Sequence, residues 1–165
     1  MTVLTPMVLD PAVGVTGTLA GIARHRARRA AMEAIDNAEV TFAGGIVGDF
    51  RGRMRGKPYK RQVTLIERGD WTAALAEVGQ AIDWIERRAN LLVDGFDLPQ
   101  VPGTLLGIGA DVVLEIMCET DPCPRMNDLA AGLEAAMRPD WRGGACARVV
   151  REGTIRLGDT IERLR

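Results

Sequence analysis

Residues 111–117, Asp111-Val112-Val113-Leu114-Glu115-Ile116-Met117, are the most strand-like stretch of this sequence. β-Branched and aliphatic side chains dominate it, which favours an extended and buried strand. Similar but weaker stretches lie on both sides of it, at residues 13–22, 39–42, 62–67, 89–93, 145–150 and 154–157. Nineteen glycines are spread through the chain and can form turns between short strands. The pattern therefore predicts a mainly β protein.

Two helices are predicted between these strands. Asp70 is a suitable N-cap for a short helix that Gly79 would end. A second helix would begin at Asn127 or Asp128 and end before Pro139. Strands and helices do not alternate regularly, which disfavours a doubly wound α/β fold. We predict a single domain over the whole chain, a small and partly closed β-barrel with helices packed outside it.

Glycine-containing turns predict how some of these strands are connected. Asp94-Gly95 and Glu152-Gly153 each follow a predicted strand and have the composition of hairpin turns. Residues 103–109 contain three glycines, but a strand follows them where a nucleotide-binding loop would open a helix. We therefore predict two hairpins and no phosphate-binding glycine loop.

The composition excludes several classes of function. Of the 165 residues, 47% are hydrophobic and 26% are charged, as in an ordinary globular domain. No apolar run approaches the roughly 20 residues of a membrane helix, and no secretory signal is visible, so we expect a cytoplasmic protein without a membrane partner. Aromatic residues are only 4% and the net charge is −1, which argues against nucleic acid. The chain has no serine for a Ser-His-Asp triad, and its single histidine, His25, is expected at the surface.

Positive charge is concentrated in the first part of the chain. Residues 24–61 carry ten basic and four acidic side chains, whereas residues 62–165 carry eleven basic and seventeen acidic ones. The basic residues form two clusters, Arg24–Arg29 and Arg51–Arg61, and glycines and a proline in the second predict a loop. Gly48-Asp49-Phe50-Arg51 opens that loop, whose cations could hold phosphate or an anionic pterin. The alternative is a charged loop exposed to solvent.

Three cysteines, an odd number in a chain of this length, indicate free thiols in a reducing compartment. Cys123 lies in Asp121-Pro122-Cys123-Pro124-Arg125, between a predicted strand and a predicted helix. The two prolines restrict the backbone, while Arg125 and the helix N-terminus would favour a thiolate. Such a thiolate could be a nucleophile, a persulfide carrier or a soft-metal ligand, or the thiol could be structural. Cys118 and Cys146 lie in predicted strands and are expected in the core.

Arg88 and Asn90 form a second candidate binding element. If the strand at residues 89–93 extends back to Arg88, alternation places both side chains on one face. A guanidinium and a carboxamide that project together suit an anionic, hydrogen-bonding ligand. The alternative is a pair of polar side chains on an edge strand that faces water.

Short motifs follow one another through most of the chain in a recognisable order. They are Gly48-Asp49, Gln62-Val63-Thr64-Leu65, Arg88-Ala89-Asn90-Leu91-Leu92-Val93, Gly95, Asp97-Leu98, Gly103, Ile108-Gly109, Pro122-Cys123, Gly143-Gly144, Ala147-Arg148-Val149, Gly153 and Gly158-Asp159. In this order they resemble the MOSC domain family, named after the C-terminal part of molybdenum cofactor sulfurase. No single motif is specific, but the ordered set is, and it spans about residues 13–163. The family's β-barrel with added helices agrees with the fold predicted above.

The resemblance implies roles for individual residues. Cys123 matches the family's characteristic cysteine, which carries sulfur or binds molybdenum. Arg88 and Asn90 match an Arg-x-Asn element that faces that site. With Asp49 and Arg51 of the basic loop, they are expected to hold the anionic pterin of a molybdenum cofactor (molybdopterin). Arg125 is expected to tune the thiolate.

The resemblance also implies an activity and partners. The expected function is a molybdenum-dependent oxidoreductase that reduces N-hydroxylated small molecules with electrons from an electron-transfer protein. The alternative is a non-catalytic sulfur carrier that receives persulfide from a cysteine desulfurase. A third possibility is a binding module with an unmetallated pocket. Many family members carry a histidine at a position that Phe50 or Arg51 occupies here.

Overall fold

The computed structural model describes residues 15–53 and 60–164. Within these residues the strands are β1 (Thr16–Arg24), β2 (Glu33–Ile35), β3 (Asn37–Thr41), β4 (Gly45–Ile46), β5 (Val63–Glu67), β6 (Leu91–Asp94), β7 (Leu105–Ile108), β8 (Val112–Glu119), β9 (Ala145–Arg151), β10 (Gly153–Arg156) and β11 (Thr160–Arg163). The α-helices are α1 (Arg68–Val78), α2 (Met126–Leu129) and α3 (Leu133–Ala136). Single 3-10 turns cover Arg51–Arg53, Trp84–Arg87 and Pro139–Trp141. None of the described helices is long and apolar enough to cross a bilayer.

Seven strands form a closed β-barrel. They pair in the order β1-β6-β5-β9-β8-β7-β11, and β11 pairs back onto β1, with Gly17 opposite Ile161. The pairing of β5 with β6 is parallel, with α1 in the connection, and the other pairings in the ring are antiparallel. β2 pairs only with β1, and β10, β3 and β4 form a separate three-stranded sheet. The predicted β-barrel is confirmed, and it is closed rather than partly closed.

The strands β5 and β6 separate two hydrophobic clusters. Alternation along them points Leu65 and Leu91 into the barrel, and Ile66 and Leu92 outward. The barrel interior also contains Leu19, Leu106, Ile108, Leu114, Ile116 and Ile161. The outer cluster packs α1, α2 and α3 over the barrel wall through Trp71, Leu75, Met126, Leu133 and Met137. Because both faces of β5 and β6 are covered, residues 63–66 and 91–93 are all buried, as is usual for parallel pairs.

Both predicted hairpins are wrong. After Asp94-Gly95 the chain leaves the sheet, because β6 pairs with β1 and β5 while β7 pairs with β8 and β11. Glu152-Gly153 connects β9 to β10, but β10 pairs with β3 in the other sheet. Gly95 does adopt the left-handed conformation expected of a turn, with φ of 65°. Asp94-Gly95 therefore predicted a change of direction correctly, whereas the pairing partners are set by contacts distant in sequence.

The predicted helices differ from the observed ones in their limits. α1 has Glu67 as its N-cap residue, without a side-chain capping bond, and Asp70 lies in its first turn. The predicted end of this helix is confirmed, since Gly79 is left-handed with φ of 68°. The second predicted helix is two single turns, α2 and α3, because Gly132 between them is also left-handed, with φ of 86°. Pro139 begins a 3-10 turn there.

Asn90 ties three strands of the barrel together just before β6. Its side chain is 2% exposed. The Oδ1 atom accepts hydrogen bonds from the amide of Thr64 at 3.0 Å and from its hydroxyl at 3.3 Å. The Nδ2 atom donates to the carbonyl of Ala23 at 3.1 Å. These bonds satisfy buried backbone groups of β5 and β1.

We expect Asn90→Ala to destabilise the protein by about 2–4 kcal/mol, because it leaves the amide of Thr64 and the carbonyl of Ala23 buried without partners. The measurement is urea unfolding followed by circular dichroism. Asn127→Ala is the matched control, since Asn127 is exposed and its side chain bonds to Glu134. It should change stability by less than about 1 kcal/mol. Equal losses in the two variants would contradict this role for Asn90.

A pair of carboxyl groups lies at the junction of β5 and α1. Burial raises the pKa of Glu67 to about 8, and a hydrogen bond to Asp70 and the negative charge of Asp70 contribute to the increase. The backbone of Leu98 opposes this shift by hydrogen bonding to the charged form. Glu67 therefore keeps its proton near neutral pH and donates a hydrogen bond to Asp70.

The raised pKa of Glu67 predicts a loss of stability as pH rises. At pH values between 4.5, the ordinary pKa of a glutamate, and about 8, the folded state keeps a proton on Glu67 that the unfolded state has lost. The free energy of unfolding should therefore decrease with increasing pH across this interval. In Glu67→Gln, which keeps a donor toward Asp70, that decrease should be smaller. Urea unfolding of both proteins at a series of pH values measures it, and parallel profiles would refute the assignment.

Candidate functional site

A cavity of about 600 Å³ opens between the 3-10 turn before β6, the end of β8 and α2. Four of the residues predicted from the sequence line it, namely Cys123, Arg51, Arg88 and Arg125. Arg61 and Arg87 also line it, so five arginines of the wall face three acidic residues, which are Glu86, Asp121 and Asp128. The excess of guanidinium groups gives the cavity a positive potential that favours anionic ligands.

Cys123 lies in an exposed turn at this cavity, and Pro122 before it is buried. The carbonyl of Cys123 accepts a hydrogen bond from the amide of Met126 at 2.9 Å, which leads the chain into α2. The long helix expected to begin here is absent, and α2 has only four residues. The electrostatic support from a helix N-terminus is therefore weaker than the sequence predicted, and the arginines supply most of the positive charge near this thiol.

Arg87 is the residue of the cavity that sequence analysis missed. It is 8% exposed, and its Nε and Nη2 atoms donate to the carbonyl of Gly143 at 3.3 and 3.0 Å. Nη2 also donates to the carbonyl of Thr120 at 3.2 Å. Burial lowers the pKa of Arg87, negative charge at Cys123 raises it, and Arg61 lowers it. Arg87 is therefore a fixed cation beside Cys123, and none of its three bonds uses Nη1.

The acceptors of Arg87 are in place because Gly143 and Gly144 have no side chains. A Cβ atom at Gly143 would clash with the carbonyl oxygen of Thr120, and one at Gly144 with that of Leu65. Gly144 is also left-handed, with φ of 100°. The two glycines thus let the segment before β9 approach both the end of β8 and β5, which brings the carbonyl of Gly143 to Arg87.

The prediction that Arg88 and Asn90 project from one face of a strand is wrong. β6 begins only at Leu91, so strand alternation does not apply to them. Arg88 ends the preceding 3-10 turn in the left-handed conformation, with φ of 65°, and its exposed side chain lines the cavity. Asn90 points into the barrel wall, where it makes the bonds described above. It positions the strands and is not among the residues lining the cavity.

Asp49 is buried and is not among the residues that line the cavity. Its side chain is fully buried, and Oδ1 accepts from the amide of His25 at 3.0 Å while Oδ2 accepts from the amide of Gly52 at 3.1 Å. These bonds shape the turn that carries Arg51. The expectation that His25 is exposed is wrong, because it is 7% exposed and its Nδ1 lies 3.1 Å from Oδ1 of Asp49. Burial lowers the pKa of His25, against the charge of Asp49.

The two basic clusters have different surroundings. In the first, Arg24 donates to the carbonyl of Val47 at 2.8 Å, and Arg24 and Arg26 both lie near Glu33, so these charges support the barrel wall. In the second, Arg51 and Arg61 reach the cavity. Residues 54–59, which include Arg55 and Lys57, lie outside the described residues. The basic loop thus contributes at least its two ends to the candidate site.

The three thiols differ in exposure, and their reaction with iodoacetamide should follow that order. Cys123 is exposed, Cys118 is intermediate and Cys146 is buried. In the folded protein we expect Cys123 to be alkylated first and Cys146 last, because alkylation requires contact with the sulfur. Peptide mass spectrometry after timed quenching measures the order. In denaturant the differences should vanish, and faster labelling of Cys146 than of Cys123 in the folded protein would contradict the placement of Cys123.

Comparison with known proteins identifies the family. The YuaD protein from Bacillus subtilis is 19% identical, with a TM-score of 0.73 over 90% of this chain and 95% of that chain. YiiM from Geobacillus stearothermophilus is 13% identical (TM-score 0.68, 90% and 75% covered), and YiiM from Escherichia coli is 15% identical (TM-score 0.64, 90% and 70% covered). These likenesses establish a shared fold, and no curated protein matches the sequence. The profile of the MOSC domain matches residues 40–162, so the chain belongs to the MOSC domain family.

Proposed function

We propose that the cavity binds a molybdenum cofactor of the molybdopterin type, with Cys123 as the protein ligand of the metal, and that the protein reduces N-hydroxylated compounds. One observation carries the proposal. The exposed thiol of Cys123 lies at a cavity that five arginines line. A soft ligand and a set of anion-binding groups are thereby brought to one place.

The residues of the cavity fit such a cofactor. Thiolate sulfur is a preferred ligand of soft metal centres, and guanidinium groups bind phosphate and other anionic groups through paired donors. A cavity of about 600 Å³ has the size typical of small-molecule sites. Among the described residues no three His, Cys, Asp or Glu side chains converge. A metal held by Cys123 would therefore bring most of its ligands with it, as a pterin-bound metal does.

The arginines of the cavity differ in how firmly the protein holds them, and so in how each would bind the cofactor. Arg87 is fixed by the carbonyls of Gly143 and Thr120, so it presents a charge whose position is set before any ligand binds. Arg88 and Arg125 are exposed and can adjust to the bound anion. A preorganised cation loses less conformational entropy on binding than a mobile one. We therefore expect Arg87 to contribute more to affinity than either exposed arginine.

The reaction class is inferred from family membership. When bound, the cofactor would supply two-electron redox chemistry. In the proposed reduction the N–O bond of the substrate breaks, two electrons and two protons are taken up, and water is released. The electrons would come from an electron-transfer protein, which the exposed edge of the cavity at Cys123 leaves room to approach.

Molybdenum content tests this proposal. Protein made in a host that synthesises the cofactor should contain close to one molybdenum per chain, and Cys123→Ala should lower that content at least tenfold, since the metal loses its protein ligand. Cys118→Ala is the matched control and should keep the metal. Arg88→Gln should lower the content several-fold, whereas Arg148→Gln, an exposed arginine paired with Glu115 outside the cavity, should not. Equal content in wild type and Cys123→Ala would overturn the proposal.

The same exposure of Cys123 favours one alternative, a non-catalytic persulfide carrier. An exposed thiol in a turn can reach the active site of a sulfur-donating enzyme, which a buried metal ligand cannot. Incubation with a cysteine desulfurase and cysteine should then add one cyanide-labile sulfur to Cys123 and none to Cys123→Ala. Molybdenum without the adduct supports the oxidoreductase, and the adduct without molybdenum supports the carrier. If neither appears, the cavity is an unmetallated module for a small anion.

A further inference from the structure

Cys118 and Cys146 lie directly opposite each other on neighbouring strands. Cys118 is in β8 and Cys146 in β9, and the antiparallel register pairs the two residues. Opposed residues of antiparallel strands project from the same face, with Cα atoms about 4.5–5.5 Å apart. Disulfides connect Cα atoms about 4.4–6.8 Å apart. The backbone therefore already holds these cysteines within the span of a disulfide.

The two side chains also face each other. Besides burial, negative charge on Cys146 raises the pKa of the Cys118 thiol, as expected for two side chains that project from the same face at paired positions. The Cys146 sulfur lies 3.1 Å from the hydroxyl oxygen of Thr120 and 3.8 Å from the carbonyl oxygen of Glu119. The ladder shifts register between Ile116 and Cys118, which marks a bulge in β8. A bulge interrupts the regular ladder, so the backbone can adjust locally when the sulfur atoms approach bonding distance.

Only one of the two sulfurs can be reached from outside. Cys146 is fully buried, whereas Cys118 is partly exposed. Burial raises the pKa of the Cys118 thiol, negative charge on Cys146 raises it further, and Arg61 and Lys60 lower it. Cys118 is thus a protected thiol that reacts slowly near neutral pH and faster as the pH increases. Because Cys118 is the accessible member of the pair, it is the first attacking thiol, at a rate that increases with pH, and Cys146 is the resolving thiol.

We propose that Cys118 and Cys146 form a reversible disulfide across β8 and β9, a redox site separate from Cys123. The thiolate of Cys118 attacks one sulfur of a small disulfide, such as oxidised glutathione, whose S–S bond breaks and releases one thiol. The thiolate of Cys146 then attacks the sulfur of Cys118 in the mixed disulfide and releases the second thiol. The protein loses two electrons and two protons, and the small disulfide becomes two thiols.

A shared metal site is a poorer explanation of the pair. Among the described residues, Cys123 does not join Cys118 and Cys146 in a group that could hold a metal ion.

The cysteine pair also contacts the cavity indirectly, because Thr120 contacts Cys146 through its hydroxyl and holds Arg87 through its carbonyl. Bond formation at Cys146 takes this sulfur away from Thr120. Oxidation of the Cys118–Cys146 pair therefore changes a contact of Thr120, the residue whose carbonyl holds Arg87.

The test is equilibration of the full-length protein in glutathione buffers of increasing oxidised fraction, followed by acid quenching and alkylation in denaturant. Trypsin alone leaves Cys118 and Cys123 in one peptide, residues 89–125, so a second protease that cleaves before Asp121 is required. Mass spectrometry should then find the Cys118 and Cys146 peptides linked, with Cys123 alkylated or carrying glutathione. The linkage should disappear after dithiothreitol treatment and form faster at higher pH.

Variants separate this site from the one at the cavity. Cys123→Ala should form the linkage as wild type does, whatever the outcome of the molybdenum and persulfide experiments. Cys118→Ala should abolish it and leave Cys146 reduced, and Cys118→Ser repeats the test with a polar replacement. The proposal is overturned if Cys118 and Cys146 are both alkylated at an oxidised fraction that already glutathionylates Cys123. It is equally overturned if the linkage found in wild type contains Cys123.

Discussion

The buried guanidinium of Arg87 holds together the three segments that surround the cavity. It comes from the turn before β6 and binds carbonyls at the end of β8 and in the approach to β9. A charge removed from water requires such partners, because an unsatisfied buried cation is strongly destabilising. Gly143 can serve as a partner because it has no side chain. A Cβ atom at this position would collide with the carbonyl of Thr120. The shape of the cavity and the position of its fixed charge therefore depend on one set of hydrogen bonds.

The barrel explains why this cavity lies on the helical side of the molecule. The parallel pair β5 and β6 requires a crossover, and α1 supplies it while covering the outward residues Ile66 and Leu92. The short helices α2 and α3 pack on the same side, so the turn that carries Cys123 is held against that cluster through Met126. The thiol remains exposed because the buried neighbours, Pro122 and Met126, anchor the turn on both sides of it.

The sequence predicted the parts of the fold that depend on local composition. The strands near 62–67 and 111–117 were recognisable because β-branched and aliphatic side chains dominate them. The hairpins failed, since turn residues indicate where a chain bends and not which strand it meets next. Asp70 failed as an N-cap because Glu67, buried and protonated, begins the helix instead. The two hairpin errors share one cause, namely contacts between segments distant in sequence.

The candidate site was predicted in the same uneven way. Cys123, Arg51, Arg88 and Arg125 meet at one cavity, as the motifs indicated. Asn90 and Asp49 belong to the same motifs but serve the fold, because their polar atoms are used by buried backbone groups. Arg87 could have been suspected from its place beside Arg88, yet only the three-dimensional arrangement shows which of two adjacent arginines is buried. His25 was misplaced because its neighbours in sequence are charged, whereas its neighbours in space are Asp49 and Phe50.

The pairing of β1 with β11 joins the first and last described strands of the chain. During synthesis on the ribosome, every other strand of the ring emerges before the one that seals it. Until β11 is in place, β7 and residues 16–18 of β1 each lack a neighbour, and their unpaired backbone groups form open sheet edges of the kind that promote association between chains. The addition of β11 covers both edges at once, so closure of the ring protects two strands that lie far apart in sequence.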